Sequence, residues 1–406
     1  MKACVLGCGI SGKGAITLLK KKGHEVFGID RVLSGLENIV SEDEVDFTDV
    51  DLMVVSPGVS LDHVLIKQAR SLKIEVIGEI ELGLRYLNSF CIGVTGTNGK
   101  TTTCELITHL LNDNNIEAVC LGNCGTSLCS EVANIENNTV VVLELSSYQI
   151  EWINSKKIAL GCILNIEEDH LDRYQSFADY ARAKLGLLDS VKEKVWIKKD
   201  VLQKVDLLQK DKTKLFDKKQ IVATLNELGY TNKEVVEQEN LFAAWQMVKG
   251  FLSKEQFCKS VATFTRPKHR LEKIGMFNSV DIYNDSKSTN PASVYYALET
   301  IEKKIVLLLG GEDKNLGFSK LLQKREKISR VICFGKAKNK IAQELTSLNP
   351  LVVSTVKDAT KLALKLAEPN EAIVFSPGCS SFDAFKDYQE RGNFFKKSVL
   401  QYVGEK

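Results

Sequence analysis

The chain carries no excess of charge of either sign: 54 Lys and Arg stand against 52 Asp and Glu, a formal net charge of +2. Nucleic acids and acidic membranes are recognised through concentrated positive charge, so this balance gives no reason to expect either as a partner. No apolar stretch approaches the roughly 18 residues that a bilayer-spanning helix needs. Internal repeats, coiled-coil heptads and low-complexity tracts are missing as well. The eleven cysteines include no CxxC pair, and the clusters Cys4/Cys8 and Cys120/Cys124/Cys129 lack histidines at ligand spacing. Most sit among Val, Leu and Ile, where a reduced thiol packs as a small hydrophobe; structural zinc is the rival reading. The start, Met1–Gly7, is apolar but runs into a glycine turn without a small-residue cleavage site. It reads as a first strand and not as a secretory signal, so a cytoplasmic location is expected. At 406 residues, with 44% hydrophobic and 26% charged side chains, the chain has an ordinary globular composition and room for two to four domains.

What is present is a phosphate-binding sequence. Residues 93–103 read Gly-Val-Thr-Gly-Thr-Asn-Gly-Lys-Thr-Thr-Thr, after the apolar run Phe90–Val94 and before a helical pattern over 101–111. Glycines let the backbone approach an anion, and the free N–H groups of a helix start point at it. Lys100 is placed to reach terminal phosphates and the Thr101 hydroxyl to meet Mg²⁺. The strict Walker spacing is not met, because Val94 stands where the first glycine belongs. The loop is a variant.

Three segments follow one another. The first opens with strand 3–6, the turn Gly7-Cys8-Gly9-Ile10-Ser11-Gly12, helix 13–22 and strand 25–29 ending in Asp30-Arg31. This is a βαβ start with a dinucleotide fingerprint and an acid at ribose distance. It is equally compatible with a Rossmann-like fold that binds another nucleotide or none. A second turn, Ser56-Pro57-Gly58, follows strand 52–55, and helices are expected over 61–72 and 78–87. The second segment holds the phosphate loop, strands at 118–121, 140–145, 159–166 and 194–197, and helices at 177–190, 232–241 and 240–250. The Lys- and Asp-rich stretch 198–219 reads as solvated surface with short strands. After Thr265-Arg266-Pro267-Lys268 the rhythm restarts, with strands at 280–283, 304–309, 330–334, 351–353 and 372–375. Helices at 290–301, 318–327, 338–345 and 357–366 alternate with them. The expected fold is α/β in three domains: a Rossmann-like domain over 1–88, a P-loop-type ATPase sheet over 89–266 and a second Rossmann-like domain over 267–406.

Polar residues gather where these strands end. Glu144 closes an apolar strand, where an acid suits a Mg²⁺ ligand. The run Glu167-Glu168-Asp169-His170 ends another, and His170 reads as a metal ligand or phosphate contact, against a plain surface histidine. Lys184 lies in a helical run, where an exposed lysine is the default. Three more turns, 284–290, 310–314 and 376–383, share one sheet edge of the last segment.

The order Gly-Thr-Asn-Gly-Lys-Thr-Thr (96–102), Glu-Leu-Ser-Ser-Tyr-Gln (144–149), Asn-Ile-Glu-Glu-Asp-His-Leu-Asp-Arg-Tyr (165–174), Asp-Ser-Lys-Ser-Thr-Asn (285–290) and Ser-Pro-Gly-Cys-Ser-Ser-Phe-Asp (376–383) resembles the Mur ligases over the whole chain. Within that family it is similar to the branch that adds D-glutamate to UDP-N-acetylmuramoyl-L-alanine, since sibling ligases and folylpolyglutamate synthetase differ at 285–290. The resemblance implies an ATP-dependent amide ligase of peptidoglycan precursor synthesis, acting as a monomer on small molecules with two Mg²⁺ ions. It implies that Gly96, Thr97, Asn98, Gly99, Lys100, Thr101 and Thr102 hold ATP phosphates, with Asn240, Arg270 and Asp285 also on the nucleotide. Thr101, Glu144, His170 and Lys184 would serve the metal ions, Lys184 as a carbamate. Ile10, Ser11, Asp30, Arg31, Ser56, Pro57, Gly58, Asn123 and Ser146 would line the UDP-linked substrate, so the fingerprint would hold a uridine diphosphate. Lys287 would lie near the transferring phosphoryl group, and Thr289, Lys314, Ser381, Phe382 and Tyr388 would form the D-glutamate pocket. Two other readings stay open: a related ligase using another amino acid, and an NAD-dependent oxidoreductase built on the fingerprint.

Overall fold

Short apolar runs set the strands. Val140–Glu144, Cys91–Thr95 and Ile305–Gly310 are buried at every position, as strands covered by helices on both faces must be. The computed structural model describes residues 1–31, 38–170, 173–204, 211–230 and 235–404. They form three sheets. The first runs in the order Ile39–Val40, Glu25–Ile29, Lys2–Leu6, Leu52–Val55, Glu75–Gly78, all parallel. The second, also parallel, runs Thr213–Phe216, Val191–Lys198, Ile158–Ile163, Cys91–Thr95, Val140–Glu144, Ala118–Gly122. The third runs Glu272–Phe277, Val280–Asn284, Ala372–Gly378, Ile305–Gly310, Ile328–Phe334, Leu351–Val352, with only the first pair antiparallel. The chain is therefore α/β with parallel sheets.

By compactness these sheets fall into two units: Met1–Ile166 with Ala178–Thr231 and Glu239–Phe264, and Glu167–Phe177 with Asn232–Gln238 and Thr265–Lys406. The first two sheets share a unit and are joined tightly. A Cβ on Gly83 would lie 2.5 Å from Leu128 Cγ. Glu81, buried, accepts from the backbone N–H groups of Asn154 and Ser155 at 3.0 Å each.

Several elements differ from the sequence expectation. The helix expected over 177–190 is broken into Phe177–Leu185 and Leu187–Ser190, with Gly186 between them. The two helices expected near 240 are one, Val235–Val248; the part of that expectation on residues 232–234 lies outside the described residues. Ser319–Lys327 is 3₁₀-helical with a kink at Lys324. The stretch read as solvated surface contains helix Lys199–Lys204 as well as strand Thr213–Phe216, while 205–210 lie outside the described residues. Strand Glu75–Gly78, helices Lys218–Glu227 and Lys254–Val261, strand Glu272–Phe277 and the final helix Tyr388–Gly404 have no counterpart in that expectation.

Candidate active site

In the first sheet the fingerprint forms a tight turn between Lys2–Leu6 and helix Ile10–Lys21. Gly12 is required there, because a Cβ would sit 1.9 Å from the Gly7 carbonyl oxygen. Asp30 accepts a 2.7 Å bond from the Cys8 N–H, and Ser56 donates its hydroxyl to the Gly7 carbonyl at 2.6 Å. The Asp30 carboxylate and the Ser56-Pro57-Gly58 turn are thus tied to the fingerprint itself. Ser11 is half-buried, Ile10 is 71% exposed, and Arg31 is exposed and pairs with Glu42 at 3.1 Å.

The phosphate loop leaves strand Cys91–Thr95 and enters helix Lys100–Asn112 through Gly99, whose φ of +84° favours glycine. A Cβ at Gly99 would also stand 2.6 Å from Asn240 Oδ1, an oxygen that accepts from the Thr103 hydroxyl at 3.1 Å. Asn240 therefore buttresses the loop from a helix about 140 residues away in sequence. Lys100 folds over the loop and donates to the carbonyls of Gly96 and Thr97 at 2.7 and 2.9 Å. Lys184, exposed on sequence grounds, is in fact buried, 2% exposed. Its ammonium donates to the same Gly96 carbonyl at 3.0 Å and lies 4.8 Å from the Tyr180 ring centroid. The correction has a plain cause: Tyr180, Ala181, Lys184 and Leu185 share the buried face of helix Phe177–Leu185, one helical turn apart. Tyr180 in turn bonds the Thr97 hydroxyl at 3.0 Å.

Glu144 ends its strand 1% exposed. Its Oε2 accepts from the Thr101 hydroxyl at 2.6 Å and its Oε1 from the Asn123 carboxamide at 2.7 Å. A carboxylate beside a hydroxyl of the first helical turn offers the hard oxygen donors that Mg²⁺ takes. Ser146 caps the next short helix through Gln149. Thr102 is half-buried on the helix after the loop. One loop-holding residue escaped the sequence reading although its motif was noticed. Asn165 accepts from the N–H groups of Thr97 and Asn98 through its carbonyl and Oδ1, and returns a bond to Asn98 O at 3.1 Å.

The second unit holds its own constellation. Asp169, buried, accepts from Asn290 Nδ2 at 2.9 Å and pairs with Lys314 at 3.2 Å. Burial alone would raise its carboxyl; Lys314, His170 and Asn290 outweigh it and hold the pKa below the usual value. His170 follows in a left-handed conformation, φ +55°, its ring 3.7 Å from Asp169. Neither Asp169 nor Asn290 stood among the expected site residues; the signal was the acid run ending at His170.

Asp285 accepts from the hydroxyls of Ser288 and Ser376 and from Leu271 N–H. Burial pushes its carboxyl up to about 6, the hydrogen bonds and Arg270 opposing. Lys287 lies 3.9 Å from the Tyr388 ring centroid. Thr289 is half-buried, Ser381 is buried, and Phe382 is 69% exposed. Ser376 and Gly378, expected in a turn, belong to strand Ala372–Gly378. Two of the three polar turns, 284–290 and 376–383, are tied together by Arg391, which sequence reasoning missed because its helix was not foreseen. Fully buried, it donates to Ser286 O and Oγ at 2.8 and 3.0 Å and to the carbonyls of Cys379 and Ser380 at 3.0 Å each.

Because Asp285 has a raised pKa in the fold, its contribution favours folding below the unfolded value of 3.8 and is lost as pH rises through about 6. That shift corresponds to about 3 kcal/mol. The Asp285→Asn protein is expected to lose less thermal stability than the parent between pH 4 and 6. Parallel pH profiles of both would count against the buried, ionising Asp285.

Comparison with known proteins points one way. Residues 94–272 match the Mur ligase middle domain and residues 269–379 the Mur ligase, glutamate ligase domain. The chain is 35% identical to the UDP-N-acetylmuramoylalanine--D-glutamate ligase of Protochlamydia amoebophila (strain UWE25), over 98% of this chain and 97% of that one. It is 33% identical to the protein of the same name from Aquifex aeolicus (strain VF5), over 98% of each chain. In fold it is similar to the UDP-N-acetylmuramate-alanine ligase of Thermotoga maritima, with a TM-score of 0.60 at 18% identity and 100% of both chains covered.

Proposed function

Because this chain belongs to the Mur ligase family, we propose that it joins D-glutamate to UDP-N-acetylmuramoyl-L-alanine at the expense of ATP, in peptidoglycan precursor synthesis. The observation that carries the reading is the convergence of Lys100 and Lys184 on the Gly96 carbonyl, beside the start of a helix and the Thr101–Glu144 pair. The Lys100 ammonium, folded over a loop that ends at a helix start, makes a place for a polyphosphate.

The reaction has two steps. The γ-phosphoryl group of ATP passes to the L-alanyl carboxylate, giving an acyl phosphate and ADP; the amine of D-glutamate then attacks the carbonyl and phosphate leaves. Lys100 and the loop amides from Gly96 to Thr102 hold phosphate oxygens and offset the charge that gathers as they approach the carboxylate. Thr101 and Glu144 would hold Mg²⁺, with His170 serving a second ion; the metal would supply charge neutralisation on the phosphates. Lys184 is carbamylated: its ammonium releases two protons as the nitrogen bonds CO₂, and the former cation becomes an anion that would meet Mg²⁺. Asn240, Arg270 and Asp285 hold the nucleotide. Ile10, Ser11, Asp30, Arg31, Ser56, Pro57, Gly58, Asn123 and Ser146 hold the UDP-linked substrate. Lys287 steadies the transferring phosphoryl group, and Thr289, Lys314, Ser381, Phe382 and Tyr388 bind D-glutamate. Functionally the chain divides into 1–88 for the UDP-sugar, 89–266 for ATP and 267–406 for the amino acid and ATP. The enzyme works in the cytoplasm as a monomer, without nucleic acid or membrane.

The test is phosphate release from ATP with UDP-N-acetylmuramoyl-L-alanine and, separately, D-glutamate, L-glutamate, L-lysine or meso-diaminopimelate. Release is expected with D-glutamate alone, and is expected to fall in buffer stripped of CO₂ and return with bicarbonate. Release with another amino acid moves the enzyme to a different ligation step. No release with any of them sinks the ligase reading, and a rate indifferent to CO₂ removes the carbamate.

A further inference from the structure

Three cysteines lie beside the phosphate loop's acid without a part in the chemistry above. Cys120 sits in strand Ala118–Gly122, Cys124 in the turn that follows, and Cys104 in the helix after the loop. The Sγ atoms of Cys120 and Cys124 are 3.0 Å apart, and both residues are half-buried. Eight of the other nine cysteines divide differently: Cys4, Cys8, Cys91, Cys104, Cys129, Cys162, Cys333 and Cys379 are buried, leaving Cys258 as the remaining half-buried thiol. A covalent S–S bond is about 2.05 Å long, so this pair needs an approach of about 1 Å.

Between the two thiols in sequence stands Asn123. Its N–H donates to the Glu144 carbonyl at 2.9 Å and its carboxamide to Glu144 Oε1 at 2.7 Å, while Glu144 Oε2 holds Thr101. The turn is closed by Gly122 N–H on Thr126 O at 2.8 Å, with Gly122 at φ +97°. Any pull on Cys124 is thus transmitted through one peptide unit to the carboxamide that sets the Glu144 carboxylate.

We propose that Cys120 and Cys124 are an oxidisable dithiol, and that closing them to a disulfide slows the ligase by drawing Asn123 off Glu144. With a peroxide as oxidant, one thiolate attacks a peroxide oxygen; an S–O bond forms, the O–O bond breaks and hydroxide leaves. The second thiolate then attacks that sulfur, the S–S bond forms and the sulfenic oxygen leaves as hydroxide. The two thiol protons convert both hydroxides to water, so the sulfurs give up two electrons and the peroxide takes them. A hydrogen bond with Cys104 holds the Cys120 thiol above its ordinary range, and one with Cys120 does the same for Cys124, burial adding to both. The pair is protonated near neutrality and its oxidation is slow, quickening as pH rises. The enclosed loop is short, so the disulfide constrains the unfolded chain little and yields readily to a reducing thiol.

The loss of activity rests on the ligase reading of Glu144; the bond between the sulfurs does not. The experiment treats the full chain, Cys124→Ser and Cys258→Ser with hydrogen peroxide, maps peptides by mass, and measures D-glutamate-dependent phosphate release before and after dithiothreitol. The peptide spanning 120–124 is expected to lose two hydrogens in the parent and in Cys258→Ser. Their rates are expected to fall about ten-fold, the effect of losing one hydrogen bond to a charged group, and to recover on reduction. Cys124→Ser is expected to keep its untreated rate. No mass loss at 120–124, a crosslink with unchanged rate, or equal inactivation of Cys124→Ser each overturns the switch. An untreated parent without phosphate release would instead overturn the ligase reading, while the mass loss still reports on the thiols.

Discussion

Replacing Lys100 with alanine lowers D-glutamate-dependent phosphate release by about 10²- to 10³-fold, the scale seen when one preorganised charge-stabilising donor is removed from a reaction centre. The side chain stands at the first position of its helix, 2.7 Å from Gly96 O and 2.9 Å from Thr97 O. Charge is most concentrated when a phosphoryl group approaches a carboxylate, so the loss falls on kcat, and the KM for D-glutamate stays within a few-fold. Folding is expected to survive, because Lys100 is only half-buried and Lys184 still donates to Gly96 O. Arginine does not substitute well, since a planar guanidinium cannot fold over the loop as a compact ammonium does. A mutant rate within ten-fold of the parent, with intact melting behaviour, would remove Lys100 from the reaction centre.

Arg391→Ala is expected to destabilise the second unit by about 3–5 kcal/mol, read as a lowered melting transition of the region around the third sheet. Its guanidinium satisfies the carbonyls of Ser286, Cys379 and Ser380 and the Ser286 hydroxyl in a fully buried position. Alanine leaves those acceptors without a donor and opens a cavity the size of the lost side chain. Burial lowers the pKa of this arginine to about 10, with Cys379, Asp383 and Asp285 opposing, so it stays charged at neutral pH. Lysine is expected to recover little, because one ammonium with three donors cannot span acceptors spread over two turns. Activity in Arg391→Ala should fall with the loss of order at Ser286 and Ser380, and differential hydrogen exchange would localise it to 284–290 and 376–383. Unchanged exchange in those turns would refute the account.

The composition of strands and the place of the polar turns were readable without coordinates. Short apolar runs such as Val140–Leu143 and Ile305–Leu309, bounded by turn signals, read as strands buried on both faces, and glycines before a Lys-Thr pair read as a tight turn into a helix. Motif order was enough to place the chain among the Mur ligases and to offer Lys100, Thr101, Glu144, His170 and Asp285 as candidate site residues. Contacts across long sequence separations were not readable. Lys184 looks like any helical lysine until its face of the helix is packed inward and its ammonium reaches Gly96, 88 residues earlier. Asn240 reaches Thr103 over 137 residues and Arg391 reaches Ser286 over 105. Local pattern reports which face of an element is apolar; it carries no information on which distant carbonyl a buried cation will meet, because that choice is made by packing of whole sheets and helices.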